Sequence, residues 1–279
     1  MDRFEERAVA PARRAVARPR WVALVLAVAF SAAGWTESAE ELAAATFDDG
    51  TIGAFAVVPA GTVRVVDDPL RSGRGNVAEL TYRAGGGARP ARAALALTPP
   101  AGRFGLGSTI TISGDLLIPA ATFNLRNPSI RRTLVSLRAP LSVNPADSTD
   151  AFVLLEFTGG CELRVEWSHE GYWRGSDCRL APLDAGRWHR IVLAVTMNSA
   201  PDRHDGVLEL SVNDSTVLRD STVRFTNPMR PGAPSWQELL VGATRFRPEV
   251  RGGFDLSDGD TIDERRYWDN LVVRATRRD

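Results

Sequence analysis

The stretch from Gly186 to Val217, GRWHRIVLAVTMNSAPDRHDGVLELSVNDSTV, constrains the fold more than any other part of the chain. It holds two runs that alternate apolar and polar residues. Ile191, Leu193, Val195 and Met197 share one side of the first run. Leu208, Leu210 and Val212 share one side of the second, opposite Val207, Glu209, Ser211 and Asn213. A period of two with β-branched residues is that of a strand, and the Asn-, Pro-, Asp- and Gly-containing loop between the runs makes the pair a hairpin. This hairpin is placed at the centre of a large β-sandwich.

The remaining runs have the same character. Strands are predicted at 55–58, 62–66, 77–83, 93–97, 108–118, 132–139, 152–157, 238–246 and 267–275, separated by turn chemistry such as Asp67-Asp68-Pro69 and Gly85-Gly86-Gly87. In 132–139 the alternation sets Arg132, Leu134, Ser136 and Arg138 against Thr133, Val135, Leu137 and Ala139. Outside the N-terminus no segment sustains a helical period, and Pro and Gly recur often enough to interrupt helices. The expected fold is all-β: a two-sheet antiparallel β-sandwich of jelly-roll type. A chain of 279 residues is long enough to bury its core as one domain.

The first residues read differently. Met1–Arg20 carries six Arg, and Trp21–Ala33 is a charge-free run of thirteen residues, too short to span a bilayer comfortably. This is the pattern of an export signal over 1–33, with an uncleaved anchor as the alternative. Residues 34–45 then read as a Glu/Ala linker, and 46–279 as the sandwich. The protein is expected to be secreted or periplasmic, with no stable membrane span in its mature form. All 34 basic residues are Arg, balanced by 34 acidic ones, so no global basic field points to nucleic acid. Without residues 1–33, 28 basic residues stand against 31 acidic ones, a net −3.

Cys161 and Cys178 make an even pair, which in an exported chain suggests a disulfide. The midpoint of the sixteen residues between them falls between His169 and Glu170. A tight hairpin turning there would set the cysteines opposite each other, within the ~7 Å Cα separation a bridge needs. Two reduced, buried thiols are the alternative.

Three segments together carry a resemblance to known proteins: FDDGTIGAF followed by VRVVDDPLRSGRGNVAELTYR, the hairpin 186–217, and Arg266-Tyr267-Trp268-Asp269-Asn270-Leu271-Val272-Val273. They resemble the concanavalin A-like jelly rolls of laminin-G-type modules, glucanases and polysaccharide lyases. Secreted lyase-like proteins are the nearest likeness, which implies sugar ligands. The lyase pattern asks for an Arg/Glu/Arg strand, a Gln-x-His strand and a Tyr-x-x-Gly-x-Tyr strand. Here Ala78–Arg83 echoes only the first, and the other two do not occur in a chain with three Tyr. The glucanase motif Glu-x-Asp-x-x-Glu is also missing.

Sandwiches of this kind often tie the opening turn to the closing strand through a hard cation. Asp48, Asp49, Asp269 and Asn270 supply oxygen donors at those two places, which suits structural Ca²⁺. Asp255, Asp258, Asp260 and Asp263 form a second acidic group, and turn formation by these acids is the competing reading for both. His169, His189 and His204 are not spaced as a metal trio. No Gly-x-Ser-x-Gly elbow supports serine chemistry.

The ligand face is expected on the polar side of strands whose other side forms the core. It would present Arg132, Ser136, Arg138, Glu156, Arg164 and Glu166, flanked by Tyr172 and Trp173, since Arg forks bind carboxylates and aromatic faces stack on sugar rings. A solvated face with cross-strand ion pairs is the alternative. The sequence therefore predicts an exported protein that binds a polysaccharide or surface glycan, leaning away from an enzyme. A polysaccharide lyase or glycosidase with a non-standard site, or an adhesion module without a sugar ligand, are the other readings.

Overall fold

Period-two alternation governs the described residues, and the elements among them that run to two residues or more are strands. The computed structural model describes residues 39–59, 61–84, 93–100, 102–120, 131–139, 151–157, 163–169, 172–175, 182–226, 235–242, 246–247 and 262–277. Among them, no helix is long and apolar enough to cross a membrane.

Eight strands form the first antiparallel sheet. Its central path runs β13 (Ser215–Val223), β12 (Gly206–Val212), β11 (Trp188–Thr196), β6 (Thr109–Leu117), β16 (Ile262–Thr276), β4 (Asn76–Ala84) and β3 (Val63–Asp67), and β1 (Ala39–Ala45) also pairs with β16. The second sheet runs β10 (Tyr172–Gly175), β9 (Leu163–His169), β8 (Ala151–Phe157), β7 (Arg131–Ala139), β14 (Glu238–Val241), β5 (Ala94–Leu97) and β2 (Ala56–Val58), with β15 (Phe246–Arg247) added to β7.

The hairpin 186–217 alternates as predicted, but it lies toward one edge of its sheet rather than at the centre, with β12 next to the edge strand β13. Ile191, Leu193 and Val195 lie opposite Val212, Leu210 and Leu208 and are all buried. Asn213 and Asp214 both take positive φ (49° and 64°), the backbone of a tight hairpin turn, and lead into β13. That third strand was not predicted, because Ser215–Val223 is polar and mostly exposed, as an edge strand tends to be.

One apolar core contains side chains of both sheets. Phe225 and Trp236 meet edge to face with centroids 5.6 Å apart. Trp268 packs on Gly114, where a Cβ would come within 3.1 Å of its ring. Each fully buried aliphatic or aromatic side chain contributes about 1.5–3 kcal/mol.

Two further expectations change. Residues 39–45, assigned to the linker, form β1, with Ala45 opposite Leu271 and Ala43 opposite Val273. Ala43 and Ala45 are buried in the core, so this Glu/Ala segment alternates like any edge strand. The β9–β10 hairpin pairs Tyr172 with His169 and Gly175 with Glu166. Its turn is centred one residue later than the cysteine spacing predicts. Cys161 and Cys178 themselves lie outside the described residues, as do the proposed signal 1–33 and Asp255, Asp258 and Asp260.

Candidate functional site

Strands β7, β8 and β9 are amphipathic in an unusual way. Val135, Leu137, Ala139, Val153, Leu155, Val165 and Trp167 point into the core. The opposite side carries Ser136, Glu156, Glu166 and Ser168, and these are buried too, at 1% exposure or less. Polar side chains on the non-core side of a sheet are normally hydrated, and burying them costs free energy unless they are bonded. Here Arg164 Nη2 lies 2.7 Å from Glu166 Oε1, and the Phe152 N–H donates to Ser168 Oγ at 2.9 Å. Ser136 Oγ is buried with no hydrogen-bond partner among the described residues. Arg138, half-buried, lies opposite Glu238.

Five of the six predicted residues of the ligand face on these strands, Ser136, Arg138, Glu156, Arg164 and Glu166, share this side. Arg132 does not. A β-bulge between Thr133 and Val135 inserts one residue into β7, so Arg132 lies opposite Phe157 and Thr133 opposite Glu156. A one-residue shift moves a side chain to the other face of a sheet. Arg132 therefore enters the sandwich, with its guanidinium 5.5 Å from the Phe157 ring centroid and its Nη2 2.5 Å from Glu264 Oε1 on β16. Arg266 completes a buried triad: Nη2 bonds Glu264 at 3.2 Å, Nη1 donates to the Thr133 carbonyl at 3.2 Å, and the guanidinium lies 4.2 Å from the Tyr82 ring. Thr133 takes the place left by Arg132 and donates from Oγ1 to Glu156 Oε1 at 3.2 Å. The sequence reading missed Thr133, Glu264 and Arg266. A signal existed for the last two, which share strand parity with the core residue Trp268.

Trp173 is register-paired with Ser168 and Tyr172 with His169, so both predicted aromatic positions lie on the strand next to β9. Their side chains are outside the described residues. The partial lyase echo Ala78–Arg83 lies on β4, in the first sheet, and Glu79 there accepts from Tyr267 Oη at 3.0 Å. Burial, and after it the Glu79 carboxylate, raise the pKa of Tyr267. His189 is bonded through both ring nitrogens, to the Asp184 carbonyl at 3.0 Å and to Asn213 Nδ2 at 3.1 Å, a structural role.

The proposed calcium donors fall into three local arrangements. Asp49 Oδ1 caps the turn at Thr51, and those hydrogen bonds hold its pKa low. Asp48 Oδ1 accepts from the Asn76 N–H at 3.3 Å. Asp269 Oδ1 accepts from the Asn270 N–H at 2.7 Å, and its Oδ2 lies 3.2 Å from Arg74 Nη1. Arg74 also reaches Asp115 Oδ2 at 2.6 Å. Among the described residues no group of three or more His, Cys, Asp or Glu is arranged to hold a metal ion.

No known protein family and no curated protein matches the sequence. Solved structures do match in shape. An endo-β-1,4-glucuronan lyase from the fungus Trichoderma reesei superposes with a TM-score of 0.58 at 15% identity, over 83% of this chain and 93% of that one. An alginate lyase from Aplysia kurodai gives 0.54 at 13%, over 76% and 86%. An endo-1,3-β-glucanase from Streptomyces sioyaensis gives 0.52 at 14%, over 88% and 99%. At these identities the likeness is one of fold: the chain shares with them a two-sheet antiparallel β-sandwich of jelly-roll type.

Proposed function

We propose that the protein acts on an acidic polysaccharide laid across the non-core face of β7–β9, and that the polymer contains uronate. The observation that carries this reading is the pair of partly exposed arginines on that face, Arg138 and Arg164, set beside the buried polar side chains Thr133, Ser136, Glu156, Glu166 and Ser168, of which Glu166 is ion-paired to Arg164. Guanidinium groups recognise carboxylates by paired, charge-assisted hydrogen bonds. The fold likeness to a glucuronan lyase and an alginate lyase supports uronate as the ligand class and favours cleavage. In such a cleavage a base takes the proton from C5, an Arg offsets the carboxylate charge that builds up, and the C4–O bond breaks as an acid protonates the departing oxygen, leaving a C4=C5 double bond on one product and a hydroxyl on the other.

A second reading, binding without cleavage, has its own support. Glu156 and Glu166 are engaged with Thr133 and Arg164, and the chain has no Gln-x-His strand. Incubation with alginate and polyglucuronate, followed by ultraviolet absorbance for unsaturated ends, separates the two. New absorbance establishes cleavage; retention on the polymer without it establishes binding; neither overturns the proposal. The basic, then apolar, segment 1–33 supports action outside the cytoplasm, where a Cys161–Cys178 bridge would persist.

A further inference from the structure

On the outer face of the first sheet, Asp115 of β6 and Asp269 of β16 lie directly opposite each other. Both are buried, at 7% and 2% exposure. Two carboxylates so placed repel, and burial raises the pKa of Asp269, as does the charge of Asp115 beside it. The same two donors span the pair. Arg74 Nη1 reaches Asp115 Oδ2 at 2.6 Å and Asp269 Oδ2 at 3.2 Å. Asn270 Nδ2 reaches the same two oxygens at 2.9 and 3.1 Å. Arg190 adds a more distant contact with Asp115 at 3.5 Å, and the Arg74 guanidinium rests 4.8 Å from the Trp188 ring centroid.

The loop that delivers Arg74 continues into Gly75 and Asn76, which grip the opening turn. Asn76 donates from its backbone N–H to Asp48 Oδ1 and from Nδ2 to the Asp48 carbonyl, both at 3.3 Å. Gly75 has φ 81°, and a Cβ there would collide with Asp48 Oδ1. Three consecutive residues thus join the opening turn to the closing strand.

We infer that Arg74 is a built-in cation: its guanidinium occupies the place between Asp115 and Asp269 that a divalent ion would otherwise fill, and makes this junction independent of metal. Arg74 and Arg190 balance the two carboxylates in charge, so an added ion would have to displace Arg74. Removing Arg74 leaves Asp115, Asp269 and the Asn270 side chain as an oxygen-rich site for Ca²⁺ or a lanthanide.

The test uses the full chain, as wild type, Arg74→Ala and Arg74→Gln. Melting is followed in chelator and in excess Ca²⁺, and Tb³⁺ emission is excited through the indoles, Trp188 being adjacent. The wild type should melt at the same temperature in both buffers and give no Tb³⁺ emission from this site. The variants should melt several degrees lower in chelator, regain much of that in Ca²⁺, and light up Tb³⁺ in a way that Asp269→Asn abolishes. If a variant does not fold in chelator, its refolding yield with and without Ca²⁺ replaces the melt. A wild type stabilised by Ca²⁺ through Asp269 overturns the inference, and so do variants that melt like wild type or whose loss ignores the cation.

Discussion

Arg132 and Glu264 meet inside the sandwich, with guanidinium nitrogens 2.5 to 2.9 Å from carboxylate oxygens that belong to the other sheet. The bulge at Thr133–Val135 is what turns Arg132 inward, and Arg266 fastens the bulge by donating to the Thr133 carbonyl. Removing one member of a buried charged group leaves its partners uncompensated, at about 3–5 kcal/mol. Glu264→Leu should therefore lower the urea unfolding free energy by about that amount. The triple replacement Arg132→Met, Glu264→Leu, Arg266→Met should restore most of it, since well-packed apolar groups often match buried ion pairs. A triple variant as unstable as Glu264→Leu would mean that the charges are essential to the packing.

Gly114 gives a second stability prediction. A methyl group there would press on Trp268 at 3.1 Å and Leu271 at 3.2 Å. Gly114→Ala should cost about 1–3 kcal/mol by overpacking. Urea unfolding monitored by tryptophan fluorescence reads it, and an unchanged midpoint would show that the Trp268 ring can move aside.

Why the outer residues of β7–β9 were legible and Arg132 was not comes down to local against non-local causes. Strict alternation identified Ile191–Val195 and Leu208–Val212 because each residue's burial follows from its own strand. The same rule placed Ser136, Arg138, Glu156, Arg164 and Glu166 on one side. A bulge breaks the rule without changing composition, so Arg132 and Thr133 exchanged faces unannounced. Arg74 was invisible for a different reason. It sits between two glycines in a loop, and its role depends on Asp115 and Asp269, far away in sequence. Ala39–Ala45 read as a linker because Ala carries too little hydrophobic contrast to mark a strand.

The acid response should have two opposing parts. Burial works against the charged form of Asp68, but hydrogen bonds from the Ser72 hydroxyl and from the Leu70 and Ser72 N–H groups outweigh it and lower its pKa. The folded state then binds this proton less readily than the unfolded chain, so stability present above the ordinary carboxylate pKa is lost as pH falls through the lowered one. Asp269, with its pKa raised chiefly by burial, has the opposite sign: its penalty is complete above the raised pKa and disappears on protonation. Melting temperature against pH should fall less steeply in acid for Asp68→Asn than for wild type. For Asp269→Asn the fall should be steeper. Parallel curves for all three proteins would contradict both assignments.

Affinity electrophoresis through gels containing alginate or polyglucuronate tests the central claim most directly, comparing wild type with Arg138→Ala and with the opposite-face variant Arg190→Ala. Arg138 is half-buried at the edge of the polar row, so its loss should leave the fold intact while removing a carboxylate partner. Retardation of wild type and Arg190→Ala, lost or reduced about tenfold in Arg138→Ala, is the predicted result, corresponding to one charge-assisted contact of about 1.4 kcal/mol. No retardation of the wild type by either polymer, or equal retardation of all three proteins, would contradict a uronate site on β7–β9.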